Sequence, residues 1–386
     1  MDGTEKAETM RTPGFVAATA LPCVAELDLG AVPAATRDAL AGVDRVLIHD
    51  TPLVTRFRGV TRRDGLLLHG PAGWGEASPF WDYGPRESSA WLRSALEAAT
   101  VPAPAPRRGR IPVNVTIPVC DPEAAAARVR ASGGCRTAKV KVADPGRPLS
   151  EDLARVAAVA QALADTVGAD RARLRVDANA AWTPDEAVEA IRALDRAAAP
   201  VGGLEYVEQP CAEVEDLAAV RRRVDVPVAA DESIRRAPDP LIGLEAVVRA
   251  EAADVAVVKA APLGGLARAL DLASRTGLDV VVSSAVETSV GLDRGLRLAA
   301  CLPGLPHACG LATAQLLAAD IVAAPLLPVD GAIALPAVPP APDPGIVAAA
   351  PPVGADLLGA WRERLDLMAA ALLSSDPPSP VAGGAR

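Results

Sequence analysis

Short apolar runs, each closed by a charged residue, recur through the middle of the chain: TAKVKV, RLRVDANAAW, LEYVEQP, VAADES and VAVVKA, in that order. Brief runs of β-branched and aliphatic residues bounded by turn signals read as buried strands. Seven candidates fall at residues 112–119, 137–142, 173–177, 204–208, 226–230, 254–259 and 279–283. Between most of them lie Ala-rich, charged stretches with helical spacing, among them SEDLARVAAVAQALADTV and PDEAVEAIRALDRAA. That alternation predicts an α/β fold with a parallel sheet and crossover helices. Seven or eight such units packed so closely favour a closed barrel over an open doubly wound sheet. CLPGLPHACGLAT is expected to supply the last strand. No GxGxxG follows the first strand, which counts against a dinucleotide site.

The flanks read differently. Residues 1–43 form an N-terminal extension whose first 20 positions are expected to be disordered, with a short helix somewhere in 24–43. From Arg45, RVLIHDTPL predicts a strand, TRFRGVTRRDG an arginine-rich loop and turn, LLLHGPAGWGEASPF a strand, turn and strand end, and ESSAWLRSALEAA a helix. These make an α+β unit over 44–108, ending in the Pro/Arg linker VPAPAPRRGR. The barrel occupies 109–314. Beyond it come Pro-rich turns, short strands and the helical WRERLDLMAAALL, and residues 375–386 read as a disordered tail.

Half of the residues are apolar, enough for a sizeable core, but only 3% are aromatic, so Ala, Val, Leu and Ile must build it. A net charge of −9 argues against a nucleic-acid or membrane-surface partner and leaves a small anionic substrate open. The six cysteines show no paired or zinc-type spacing and read as reduced thiols of a cytoplasmic protein. No stretch has the length and flanks of a membrane span.

Lysine occurs at only four positions, Lys6, Lys139, Lys141 and Lys259, and every other basic residue is arginine. Three of the four lie at strand ends. A lysine can be tuned toward neutrality by burial and neighbours, whereas an arginine keeps its proton, so general-base chemistry permits the first and forbids the second. Asp177, Glu208 and Asp231 end the third, fourth and fifth candidate strands, one strand–helix unit apart. Parallel barrel strands converge at their carboxyl ends. Three acids on adjacent strands would therefore repel unless a cation sits among them, and an all-oxygen set favours Mg²⁺, or Mn²⁺, over zinc. Arg56, Arg58, Arg62 and Arg63 form a basic cluster that is either a lid meeting a dicarboxylate or a solvated loop. His49, His69 and His307 are isolated and read as structural.

With TAKVKV, RLRVDANAAW, EYVEQP, VAADES, VVKAAPLGG and SSAVETSVG, the chain resembles the enolase superfamily in its muconate-lactonising branch. Within that branch it is most similar to the o-succinylbenzoate synthase family. The resemblance implies a modified (β/α)7β barrel with an α+β capping domain formed by both chain ends, residues 315–374 returning to it. It implies Mg²⁺ held by Asp177, Glu208 and Asp231. Lys141 would remove the substrate's α-proton and then help a hydroxyl leave, Lys139 would tune Lys141, and Lys259 would stabilise the intermediate from the opposite side. Such a pairing of lysine base and metal ion is how enolase-superfamily sites work. Asn179, Gly264, Gly265, Ser283, Ser284, Arg56 and Arg58 fall at substrate-facing positions, and Glu232 and Arg175 beside the metal ligands. The implied reaction is syn-dehydration of 2-succinyl-6-hydroxy-2,4-cyclohexadiene-1-carboxylate to o-succinylbenzoate, in menaquinone biosynthesis. Racemisation of N-acylamino acids at the same site is the alternative. Ala180 stands where the family's motif commonly has glycine, harmless unless that backbone needs positive φ.

Overall fold

The computed structural model describes residues 21–375. The two terminal stretches expected to be disordered, 1–20 and 375–386, lie outside the described residues apart from Ser375, which ends the last helix. Near the N-terminus, β1 (Cys23–Glu26), α1 (Ala34–Ala39), β2 (Arg45–Phe57), β3 (Val60–Gly70) and β4 (Gly73–Ala77) precede the long α2 (Pro85–Thr100). The four strands form an antiparallel sheet in chain order, with α2 packed on it. The segment before residue 44 therefore adds an edge strand and a helix to this domain, because Cys23 to Glu26 pair with Asp50 to Leu47 of β2.

The arginine-rich stretch proves to be a hairpin rather than a loop. Phe57 pairs with Val60, which leaves Arg58 and Gly59 as a two-residue turn with φ of 46° and 83°. Positive φ at both central positions is the type I′ geometry that matches strand twist. The sequence hides the strand because its arginines face both ways. Arg62 bonds Asp50 at 2.7 Å on one side, and Arg63 is buried on the other.

After β5 (Arg110–Pro112) the barrel begins. Its strands are β6 (Asn114–Ile117), β7 (Thr137–Lys141), β8 (Arg173–Asp177), β9 (Leu204–Glu208), β10 (Val228–Ala230), β11 (Val255–Val258) and β12 (Asp279–Val282), all parallel and neighbours in chain order. The crossovers are α3 (Pro122–Arg130), α4 (Leu149–Val167), α5 (Pro184–Ala197), α6 (Val214–Arg221), the pair α7 (Glu232–Arg235) and α8 (Pro240–Arg249), α9 (Leu266–Arg275) and α10 (Ser289–Cys301). Proline opens α2, α3, α5 and α8, where its missing N–H costs nothing. A Thr183–Glu186 capping box fixes the start of α5.

Residues 309 and 310 close the ring. Cys309 bridges to β6 through Cys309 N–Pro112 O (2.8 Å) and Asn114 N–Cys309 O (2.9 Å), and Gly310 N reaches Val282 O of β12 at 2.8 Å. The string CLPGLPHACGLAT thus supplies the eighth strand, and the fold is the expected modified TIM barrel with seven helical crossovers. The chain then returns through β13 (Ala332–Ala334), which pairs with β5, and α11 (Pro344–Ala349) to α12 (Ala355–Ser375), which packs on α1 and α2.

Strand alternation divides the barrel in two. Val140, Val176 and Val207 face outward into the main core under the helices. Tyr206, Ala229, Val255, Val257 and Val281 form a separate apolar cluster inside the ring. Arg175 lies in the same interior, wholly buried, over the Tyr206 ring at 4.6 Å. It donates to Glu205 (2.5 Å), to Asn114 and to the Ala308 carbonyl. Glu205 also takes His307 Nδ1 at 2.9 Å. Burial works against the Glu205 charge, but His307 and Arg175 outweigh it and lower its pKa from 4.5 to about 2. A depressed carboxylate stabilises the fold fully above its unfolded pKa and ceases to do so as pH falls through its folded one. Glu205→Gln is expected to lower stability at neutral pH by up to about 3 kcal/mol. Urea unfolding should show that difference shrinking between pH 4.5 and 2, and a difference independent of pH would contradict the assignment.

Candidate active site

The parallel register delivers the chemistry to one rim. Lys141 stands beside Asp177, and Asp177 beside Glu208, as direct partners on β7, β8 and β9. Glu208 pairs with Ala229 of β10, two residues before Asp231. Lys259 follows β11. The three acids are each 1% exposed, and Lys139 and Lys259 are 6% and 8% exposed.

Each acid is paired with a cation. Lys139 Nζ lies 2.7 Å from Glu208 Oε2 and 3.3 Å from Asp177 Oδ2. Lys141 Nζ bonds Asp177 Oδ2 at 2.5 Å and Asn179 Oδ1 at 2.7 Å. Lys259 Nζ bonds Asp231 Oδ2 at 2.6 Å, and Arg235 Nε takes the other Asp231 oxygen at 2.9 Å. In this conformation no group of three or more His, Cys, Asp or Glu among the described residues is arranged to hold a metal ion. In this conformation their oxygens turn onto cationic groups: Lys139 bridges Glu208 and Asp177, and Lys259 and Arg235 hold Asp231.

The residues nevertheless suit a hard cation. Glu208 Oε1 is buried without a hydrogen-bond partner. Burial, and then the Asp177 charge, push the Glu208 carboxyl above its ordinary range in spite of Lys139. A buried oxygen with unmet acceptor capacity, in a set made only of carboxylates, matches a hard divalent ion.

The two β7 lysines are driven in opposite directions. Burial opposes the Lys139 charge, but Glu208 and Asp177 outweigh it and raise its pKa. At Lys141 burial prevails over Asp177, the Lys139 ammonium adds to the effect, and the pKa falls below the ordinary lysine value.

A cleft of about 520 Å³, counting the part open to solvent, lies over these groups. Asn179, Ser283, Ser284 and Arg58 line it, as the sequence suggested. So do Phe57, Phe80, Tyr83 and Arg235, which the sequence reading did not single out. Arg235 lies four residues after Asp231 on a helical turn, a spacing that could have flagged it. Tyr83 carried no such signal. Glu232 accepts from Arg235 (2.6 Å) and Asn179 (3.2 Å). Ala180 adopts φ of 66°, so the position that favours glycine does require left-handed backbone, and alanine carries that strain.

Residues 122–346 match the enolase C-terminal domain-like family and residues 48–99 the enolase N-terminal domain-like family. The chain is 58% identical over 282 residues to the o-succinylbenzoate synthase of Thermobifida fusca (strain YX), spanning 73% of this chain and 84% of that protein. It is 53% identical over 308 residues to the o-succinylbenzoate synthase of Mycolicibacterium smegmatis, spanning 80% and 90%. The chain belongs to the o-succinylbenzoate synthase family of the enolase superfamily. Solved structures of the same fold include the L-Ala-D/L-Glu epimerase from Bacillus subtilis (TM-score 0.65, 22% identity, 77% of this chain and 96% of that one). Another is muconate lactonizing enzyme from Pseudomonas fluorescens (TM-score 0.67, 20% identity, 80% and 98%). Membership of the superfamily implies a divalent metal.

In this o-succinylbenzoate synthase family member four expected site residues lie elsewhere. Arg56 is exposed and does not line the cleft. Arg175 sits a layer below the acids, committed to Glu205. Gly264 and Gly265 hold the capping domain instead of facing the cleft. Both have positive φ (85° and 118°), and they bring the start of α9 onto Glu97 of α2. The Glu97 carboxylate accepts from Leu266 N (2.5 Å) and Ala267 N (2.9 Å) and lies 3.2 Å from Arg294. A Cβ on Gly265 would stand 2.3 Å from Glu97 Oε2.

A further latch comes from α12. Arg364 donates to the carbonyls of Pro79 (3.1 Å), Phe80 (2.6 Å) and Tyr83 (3.3 Å), fixing the loop that carries Phe80 and Tyr83 into the cleft. Losing a half-buried carboxylate that caps α9 and leaving Arg294 without it should make Glu97→Ala destabilising by about 1–3 kcal/mol. Gly265→Ala should cost at least as much, because it both expels the same carboxylate and sets a side chain at φ 118°. The double variant should then fall well short of the sum, and additive losses in thermal unfolding would show that the two act separately.

Proposed function

We propose that the chain is an o-succinylbenzoate synthase. It is a hydro-lyase that converts 2-succinyl-6-hydroxy-2,4-cyclohexadiene-1-carboxylate to o-succinylbenzoate in menaquinone biosynthesis, with Mg²⁺ as the divalent ion. The observation that carries this reading is the presence of Lys141 and Lys259 in one cleft, flanking the arc of Asp177, Glu208 and Asp231. The sequence kinship to o-succinylbenzoate synthases supplies the substrate.

Asp177, Glu208 and Asp231 would hold the metal, and Glu208 Oε1 would bring an acceptor with no other partner. When bound, the ion supplies positive charge that favours electron density on the substrate carboxylate as the α-proton leaves. Lys141 Nζ, lowered by burial and by the Lys139 charge, takes that proton. The same nitrogen then returns a proton to the departing hydroxyl, which leaves as water from the same face. Lys259, across the arc from Lys141, presents an ammonium to the opposite face. Phe57, Phe80 and Val286 give the cleft apolar walls that limit water around the reacting carbon. We place the enzyme in the cytoplasm, where its six free cysteines stay reduced.

The test is the dehydration assay with and without chelator. Activity should depend on added Mg²⁺, and Lys141→Ala should lower turnover by about 10²–10⁴-fold. A Lys141→Ala enzyme with near-normal rate would refute the base assignment. Assaying an N-acylamino acid with the same preparation decides the alternative: a racemase kcat/KM above the dehydration value would make 1,1-proton transfer the main reaction.

A further inference from the structure

Tyr83 is 4% exposed and hangs from the β4–α2 connection into the cleft wall. Two guanidinium groups donate to its hydroxyl oxygen, Arg58 Nη1 at 3.1 Å and Arg235 Nη1 at 2.8 Å. With both acceptor positions of a phenol oxygen engaged, only its proton remains to be placed. Among the described residues no hydrogen bond donated by Tyr83 is formed.

The two arginines differ in charge balance. Arg235 is neutralised by Asp231 and Glu232. Arg58 has no carboxylate at ion-pair distance among the described residues, and its guanidinium rests on ring faces, 4.5 Å from Phe80 and 5.9 Å from Tyr83. It occupies the first position of a type I′ turn at φ 46°, where Asn, Asp or Gly is the usual choice. Left-handed backbone thus presents to the cleft a cation with no ion-pair partner among the described residues.

Two other candidates for binding a second anionic group have their donors committed. Ser284 Oγ donates to the Gly310 carbonyl at 2.7 Å, and the Asn179 amide donates to Glu232. We propose that Arg58 and Tyr83 form the receptor for a second, aliphatic carboxylate of the substrate, remote from the carbon that reacts at Lys141. Tyr83 donates its O–H to one oxygen, and Arg58 supplies the opposite charge. Arg235 orients the phenol from behind and links this receptor to Asp231. The identity of the dicarboxylate rests on the o-succinylbenzoate synthase reading.

Calorimetry on the Mg²⁺-loaded protein tests it with two ligands. One is o-succinylbenzoate, and the other is 2-butyrylbenzoate, in which a methyl group replaces the terminal carboxylate. The wild-type protein should bind the diacid at least about tenfold tighter. Tyr83→Phe should weaken diacid binding by about 5–30-fold and Arg58→Met by about 10–100-fold, both leaving 2-butyrylbenzoate affinity unchanged. Arg58→Lys should recover part of the loss. Equal affinity of the wild type for the two ligands would overturn the receptor even with dehydration intact, as would variants that weaken both ligands alike. If the diacid preference is present and sensitive to both residues, but the hydroxycyclohexadiene precursor is not turned over, the receptor stands and the assigned reaction falls.

Discussion

Burial of like charge on adjacent parallel strands is the constraint from which this site follows. Neighbouring strands lie about 4.8 Å apart, and three of them end in carboxylates removed from water. Such a group persists only if every charge has a partner. Three lysines and Arg235 supply those partners in this conformation, and Glu208 retains one unmatched oxygen. The same arrangement separates two lysines on a single strand. Lys139 touches two acids and is held charged, whereas Lys141 meets one acid and the neutral Asn179 amide, beside the Lys139 charge. Two residues along one strand, a half-barrel of context makes one amine a fixed cation and the other a candidate base.

The second constraint is the docking of the capping domain. Its contacts with the barrel combine apolar packing, Val286 with Leu53 and Phe57 and Val290 with Leu47 and Leu67, with directed polar ones. Glu97 holds the start of α9. Glu76 accepts from Thr288 and Gly291 at the start of α10. Arg63 donates to the Val286 carbonyl and stacks on Phe80 at 4.0 Å. Helix-end N–H groups and carbonyls have fixed directions, so these contacts define one docked position where an apolar interface would tolerate several. The loop bearing Phe80 and Tyr83 is gripped from both sides, by Arg63 and by Arg364, which sets the upper wall of the cleft relative to the lysines below.

The positions of the barrel strands, the three acids and the three lysines were legible in the sequence because each signal is local. Strand alternation places Lys139, Lys141, Asp177 and Glu208 on one face, and the scarcity of lysine in an arginine-rich chain separates chemistry from ordinary surface charge. Family resemblance added the reaction, which composition and spacing could not. Local signals failed where a residue's partner lies far along the chain. Gly264 and Gly265 read as substrate-facing, yet their conformation serves Glu97, some 170 residues away. Arg175 shares a face with Asp177 but points to the barrel floor. Tyr83 and Arg235 meet across 152 residues, and β1 declares itself only by pairing with β2. Which oxygen faces which ammonium was likewise decided by tertiary structure, since electrostatic balance in a buried site depends on every charge that folding brings within a few ångströms, and sequence order carries no record of that distance.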